Sequence, residues 1–145
     1  MAGTYVINGV ATEINGYVYG LMTDLFALDG FVEATNEGTV RVTPVDGFFS
    51  VGTGTLIEVV RDDVVYETYV VIIFGDINGD AAVDLIDATM ADDYASYLGE
   101  DFNDFQLFAS DIADKGFTDL LDAVAIDSYA NYYGDIDQVT GMFTE

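Results

Sequence analysis

Asp76-Ile77-Asn78-Gly79-Asp80-Ala81-Ala82-Val83-Asp84-Leu85-Ile86-Asp87 is the stretch on which the reading of this chain turns. Counted from Asp76, oxygen-bearing side chains stand at positions 1, 3, 5, 9 and 12, and position 7 offers the carbonyl of Ala82. This is the ligand spacing of an EF-hand-type loop, in which alternate residues of a tight turn aim oxygens at one hard cation. Calcium takes about six to eight oxygens at roughly 2.3–2.6 Å. The spacing therefore predicts Ca2+ bound by Asp76, Asn78, Asp80, Asp84, Asp87 and the Ala82 carbonyl, with Val83 turned into the core. Two positions depart from the pattern. Asp87 stands where Glu is usual, and Ala81 occupies a sharp turn where a Cβ costs about 1 kcal/mol relative to glycine. The competing reading is an acidic turn before a helix capped by Asp84. Against it stands the mutual repulsion of four carboxylates so close together.

The same pattern returns 35 residues later. Asp76-Ile77 recurs as Asp111-Ile112, Asp84-Leu85 as Asp119-Leu120, and Asp87-Ala88 as Asp122-Ala123. Asp92, Tyr94-Ala95, Tyr97 and Gly99 recur as Asp127, Tyr129-Ala130, Tyr132 and Gly134. Each copy reads as an acidic loop, a helix of about three turns, and a glycine that stops it. The second loop keeps Asp111, Asp119, Asp122 and a carbonyl at Phe117, but Ala113 and Lys115 replace two ligands. Lys115 is expected to weaken or displace the ion by pairing with Asp111, Asp119 or Asp122, unless Asp114 compensates by a shift of the loop.

Composition narrows the chemistry. The chain of 145 residues lacks Cys and His, which excludes disulfides, thiolate or imidazole metal ligands and the Ser-His and Cys-His nucleophilic systems. Its net charge of −24 argues against nucleic acid and anionic membrane surfaces as partners. Residues 1–74 carry ten acids against Arg41 and Arg61, whereas residues 75–145 carry seventeen against Lys115 alone. The longest apolar run, residues 69–74, is too short to span a membrane, and no membrane insertion is expected. No signal peptide is seen, and Met1-Ala2-Gly3 reads as the start of a piece excised from a longer chain.

Residues 1–74 alternate β-rich runs with glycine turns. Tyr5-Val6-Ile7, Tyr17-Val18-Tyr19, Thr39-Val40-Arg41-Val42 and residues 55–60 read as strands. Residues 64–74 follow an Asp62-Asp63 turn and complete a hairpin, and a short helix is expected at 24–28 with Thr23 as its cap. The fold class is therefore α+β: a small, mostly antiparallel β module over residues 1–74, then an all-α module of duplicated loop-helix units over residues 75–145. With only Gly75 between them, the two are expected to pack as a rigid pair.

At residues 75–99 and 110–134 the chain resembles a dockerin, the duplicated loop-helix module that anchors cellulosomal proteins to cohesins. The resemblance rests on Gly75-Asp76-Ile77-Asn78-Gly79-Asp80, Asp at position 12, the tandem copy, and the Tyr and Gly closing each helix. It covers about half the chain. The first half resembles, more weakly, the X modules that precede some dockerins. The resemblance implies a non-catalytic, calcium-dependent module that binds a cohesin on a scaffoldin or cell-surface protein outside a bacterial cell. It also implies that Leu85, Ile86, Asp92, Asp93 and Tyr97, with Leu120, Leu121, Asp127, Ser128 and Tyr132, face the partner.

The residues themselves support a free face. Ala88, Ala91, Ala95 and Leu98 form one stripe of the first helix, and Ile86, Met90, Asp93 and Tyr97 form another. One stripe would serve the core and the other a partner, or both would be buried. Two other functions compete. A calcium buffer or sensor would expose a Met-rich groove, which four scattered Met do not provide. A glycosidase would need paired carboxylates across a cleft, whereas the acids here sit at loop-ligand spacing.

Overall fold

The computed structural model describes residues 5–7, 12–14, 16–21, 32–34, 38–45, 50–99, 101–112, 118–138 and 140–144. The chain is a mixed α and β protein. Among the described residues, seven strands precede the acidic loop 76–87: β1 (Tyr5–Ile7), β2 (Thr12–Ile14), β3 (Tyr17–Tyr19), β4 (Val32–Ala34), β5 (Thr39–Thr43), β6 (Leu56–Arg61) and β7 (Val64–Val71). Three helices and a short ribbon follow: α1 (Leu85–Ala95), α2 (Asp104–Ser110), α3 (Leu120–Ala130), β8 (Asp135–Ile136) and β9 (Phe143–Thr144).

A five-stranded sheet has the order β2-β3-β7-β6-β5, and β1 pairs separately with β4. All pairings within the sheet are antiparallel except β3 with β7, where Tyr17 and Val18 oppose Val70 and Val71 in parallel. The expected hairpin forms between β6 and β7. Asp62 and Asp63 both take positive φ, 52° and 62°, as a two-residue turn matched to the right-handed strand twist requires. On β6 the side chains alternate: Ile57 and Val59 enter the core, while Glu58 accepts a hydrogen bond from Arg41 Nε at 3.0 Å on the other face. The helix expected at 24–28 lies outside the described residues.

The boundary drawn at 74 and 75 falls in the middle of buried chain, since every residue from 71 to 77 is buried. Tyr17 and Tyr19 of β3 meet Phe108 of α2 at ring-centroid distances of 5.1 and 5.8 Å, and Phe74 stacks on Phe108 at 5.5 Å. Gly75, at φ 93°, gives its N–H to the Ala109 carbonyl. A Cβ there would press on Val83 and Ile136 at 2.9 and 3.0 Å. One hydrophobic core thus runs from Val18 and Ile57 through Ile77 and Ile112 to Ile126 and Ile136. The expectation of an all-α second half needs correction, because β8 and β9 close the chain as an antiparallel ribbon. Between them Gln138 clasps both backbone groups of Phe74: its Oε1 accepts from the Phe74 N–H at 2.7 Å and its Nε2 donates to the Phe74 carbonyl at 2.9 Å. Strands of two residues leave no periodic trace in sequence.

The helix stops also differ from expectation. Neither Gly99 nor Gly134 ends its helix. The left-handed residue is Tyr97 at φ 60° after α1 and Tyr132 at φ 65° after α3. Leu98 N–H returns to the Asp93 carbonyl and Tyr133 N–H to that of Ser128, both at 2.8 Å, which is the Schellman closure. A bulky residue in this conformation costs about 1 kcal/mol. Tyr97→Gly and Tyr132→Gly are accordingly expected each to stabilise the fold by about that amount, measured by denaturant or thermal unfolding. Lower stability in both variants would show that the rings are held by contacts the exposed geometry does not display.

Candidate metal centre

Asp76 and Asp87 bracket the first loop, and both are fully removed from solvent, at 0 % exposure. Each is oriented by backbone N–H groups. Asp76 Oδ1 accepts from Gly79 at 3.0 Å, and its Oδ2 accepts from Ala81 at 2.9 Å and Thr53 at 3.0 Å. Asp87 Oδ1 accepts from Ile77 at 2.8 Å and Asn78 at 3.2 Å, while its Oδ2 accepts from Asp84 at 3.0 Å. Asp87 therefore ties the beginning of the loop to the beginning of α1. Asp80 joins them: oxygens of Asp76, Asp80 and Asp87 all lie within 4.8 Å of one another.

Asn78 and Asp80 turn the loop between these anchors. Asn78 Oδ1 accepts from Asp80 N–H at 3.3 Å, and Asp80 Oδ1 accepts from Ala82 N–H at 3.0 Å. Ala81 does occupy the sharp turn, at φ 71°, with Gly79 also left-handed at φ 87°. Val83 is buried, as its position 8 predicted. Asp84 is committed to the helix: its Oδ1 accepts from Ile86 N–H at 3.0 Å as the N-cap of α1, reciprocated by Asp87 in a capping box. It stands outside the three-carboxylate cluster.

Burial sets the charge state of this cluster. Removal from water is the largest influence on Asp76 and pushes its carboxyl up to about 7; the N–H groups of Thr53, Ala81 and Gly79 oppose this, and Asp80 adds to it. Asp87 is pushed up to about 8, again first by burial and then by the charge of Asp76. Carboxylates so placed either hold protons or share a cation. The donor set, all oxygen and mostly anionic, fits a hard divalent ion.

The second loop repeats the anchor. Asp122 is buried and accepts from Ile112 N–H at 2.9 Å and Asp119 N–H at 2.8 Å, and Asp119 caps α3 through Leu121 N–H at 3.0 Å. Asp111 is partly exposed. Residues 113–117 lie outside the described residues, among them Lys115 and the Phe117 carbonyl, so the expected pairing of Lys115 and the ion-binding capacity of this loop do too.

The residues expected to meet a partner separate into two groups. Leu85, Ile86, Leu120 and Leu121 are exposed, and Tyr97 and Tyr132 are 95 % exposed. Ala88 and Ala91 form the inward stripe of α1, which settles the orientation left open by the sequence. Leu98, placed on that stripe, is exposed instead. Met90 is not on the outer face. It is half-buried against the core and lines a cleft with Asp93, Phe102 and Gln106. The sequence reading did not assign α2, although Asn103-Asp104-Phe105-Gln106 is a capping box that could have revealed it. Ser128 is half-buried, like Asp93. Thr89 and Val124, which the sequence reading passed over, are exposed and line the groove between α1 and α3 with Leu85, Asp92, Leu120 and Asp127.

No protein-family model, no curated protein and no solved structure matches this chain. Among the described residues no helix is long and apolar enough to cross a membrane.

The raised carboxyls give the metal-free protein a distinctive pH response. A carboxyl with a folded pKa above its unfolded value of 3.8 contributes its full stability below about pH 4 and loses it as pH rises through the folded value. In chelator, stability is expected to fall between about pH 4 and pH 8, through the values near 7 for Asp76 and 8 for Asp87. Urea unfolding across that range measures it, with millimolar calcium expected to flatten the decline. A chelated protein whose stability rises over the same range would contradict this electrostatic assignment.

Proposed function

We propose that the chain is a non-catalytic, calcium-dependent docking module of the dockerin type, which binds a cohesin on a scaffoldin or cell-surface protein outside a bacterial cell. The observation that carries this reading is the near-identity of its two helical units, from N-cap to closing turn. Asp84 and Asp119 cap their helices at φ −143° and −140°, and each helix has 11 residues. Ser96 and Asn131 follow, both at φ −97°, and then the left-handed tyrosines. A repeat maintained through caps, buried Asp and closing turn alike presents its outer residues twice.

What it presents is apolar. Ala95 and Tyr97 share a surface depression with Thr118, Leu120 and Leu121, so the end of α1 lies beside the start of α3. The two helices run antiparallel, and each end of the pair combines exposed aliphatic residues with an exposed Tyr. Large apolar side chains grouped this way on a highly charged protein favour a docking role. A Tyr held in a costly conformation in full contact with water supports it further, since its ring area is the usual anchor of an interface. In this reading calcium is bound by Asp76, Asn78, Asp80 and Asp87 with the Ala82 carbonyl, and Asp84 serves chiefly as the cap. Asp92 and Asp127 on the same face would steer a partner carrying Lys or Arg. The near-equivalence of the two ends allows the partner to bind in either of two orientations.

The test is cohesin affinity of Ile86→Asp and Leu121→Asp, singly and combined, with calcium binding and melting temperature followed alongside. The double variant is expected to fold, retain calcium and lose at least a hundredfold in affinity, about 2.7 kcal/mol. Unchanged cohesin binding would place the interface elsewhere, and failure of every cohesin to bind the parent chain would favour a calcium-binding module with a structural role.

A further inference from the structure

The loop that would hold calcium is not closed by its own residues. Of the three N–H groups that orient Asp76, two come from within the loop and the third from Thr53, 23 residues upstream in the β module. Thr53 is rigidly placed. Its Oγ1 accepts from Ile73 N–H and donates to the Ile73 carbonyl, both at 3.0 Å. Next to it, Gly52 N–H donates to Thr55 Oγ1 at 3.1 Å, and Gly54 N–H to the Val71 carbonyl at 2.9 Å. Val51, Gly52, Thr53 and Thr55 are all buried.

Beside the hydrogen bond from Thr53 to Asp76, the backbone of Gly52 lies against the backbone of Gly79 and Ala81. A Cβ on Gly52 would stand 2.6 Å from Asp76 Oδ2, and closer still to the Gly79 carbonyl and the Ala81 nitrogen. Conversely, a Cβ on Gly79 would meet the Thr53 carbonyl at 2.6 Å. Gly52 does not have the positive φ that would itself call for glycine. It is glycine because the calcium-type loop lies directly on it, and backbone atoms cannot swing aside as a side-chain end could.

We propose that Gly52 and Thr53 of the β module are positioning residues for the metal loop, so that the β module sets the loop's calcium affinity and bound calcium in turn holds the β module's 51–55 segment closed. This rests on the calcium-binding reading given above. The physical argument is preorganisation. An oxygen ligand that is already oriented and relieved of rotational freedom binds without that cost at the moment of binding. Reciprocity then requires calcium to stabilise the Thr53–Asp76 contact by the same factor that the contact improves calcium binding.

Hydrogen exchange of the full chain, in calcium chloride and in chelator, tests this without altering a residue. Calcium is expected to slow exchange at the Thr53 N–H at least tenfold, together with Gly79 and Ala81. Slowing at Gly79 and Ala81 with no change at Thr53 would overturn the coupling while leaving calcium binding intact. No slowing at any of the three would overturn the calcium reading and the coupling with it. Mutation supplies an independent readout. Gly52→Ala should weaken calcium at least tenfold by calorimetry and shrink the calcium-induced rise in melting temperature. Should that variant not fold, Thr53→Val, which removes the hydroxyl anchor, should weaken calcium and Thr53→Ser should restore it. A melting temperature lowered equally with and without calcium, at unchanged affinity, would make the contact merely structural and refute the proposal.

Discussion

The burial of two carboxylates in one small loop governs the rest of the molecule. Asp76 and Asp87 are out of contact with water, and the charges acting on them are those of other carboxylates, Asp80 and Asp76 respectively. Backbone N–H groups satisfy their hydrogen bonds but do not neutralise them. Such a pair is unfavourable in its ionised form unless a proton or a cation is supplied. With that charge balanced, the same contacts become the joints of the structure. Asp87 locks the loop to α1, Asp122 repeats the lock at α3, and Asp76 draws the β module onto the loop. In the calcium-binding reading, fold stability and ion binding are one equilibrium seen from two sides.

From this joint the helices project an exposed, largely apolar surface. The inner stripes carry small residues, Ala88 and Ala91 on α1 and Ala123 on α3, which let the helices pack closely. The outer faces carry Leu85, Ile86, Leu120, Leu121 and Val124 in water, with Tyr97 and Tyr132 at the ends in strained conformations. Strain retained twice, at equivalent positions and at full exposure, is hard to attribute to packing. In the docking reading it is the compromise between stability and an anchoring ring.

The sequence revealed what is periodic and local. The 35-residue offset located both helices and the anchoring Asp87 and Asp122, because each depends on side chains at fixed separation, whereas Asp84 and Asp119, read as ligands, are the helix caps. The β6–β7 hairpin was legible from the Asp62-Asp63 turn, and Val83 from its place between ligands. β2 (Thr12-Glu13-Ile14) and β4 (Val32-Glu33-Ala34) each carry a Glu, where the equally short β1 and β3 are wholly β-branched or aromatic, and the two-residue strands β8 and β9 are too short for alternation to register. α2 was signalled by Asn103 and Gln106, but the partial burial of Met90 against the core was not, so the stripe containing Met90 looked free. Gly52 looked like turn punctuation. Its true constraint, the approach of Gly79, Ala81 and Asp76, exists only once two distant segments meet. The left-handed tyrosines were hidden for a different reason: Gly99 and Gly134, two residues on, offered a more ordinary stop.

The most direct test of this account is a calorimetric titration of calcium into the full chain after chelation, near pH 8, beside the Asp76→Ala, Asp87→Ala double variant. The account predicts saturable binding by the parent chain, with its affinity lost or sharply reduced in the variant because the first loop's anchoring ligands are gone. Absence of saturable binding by the parent, or undiminished binding by the variant, would contradict it.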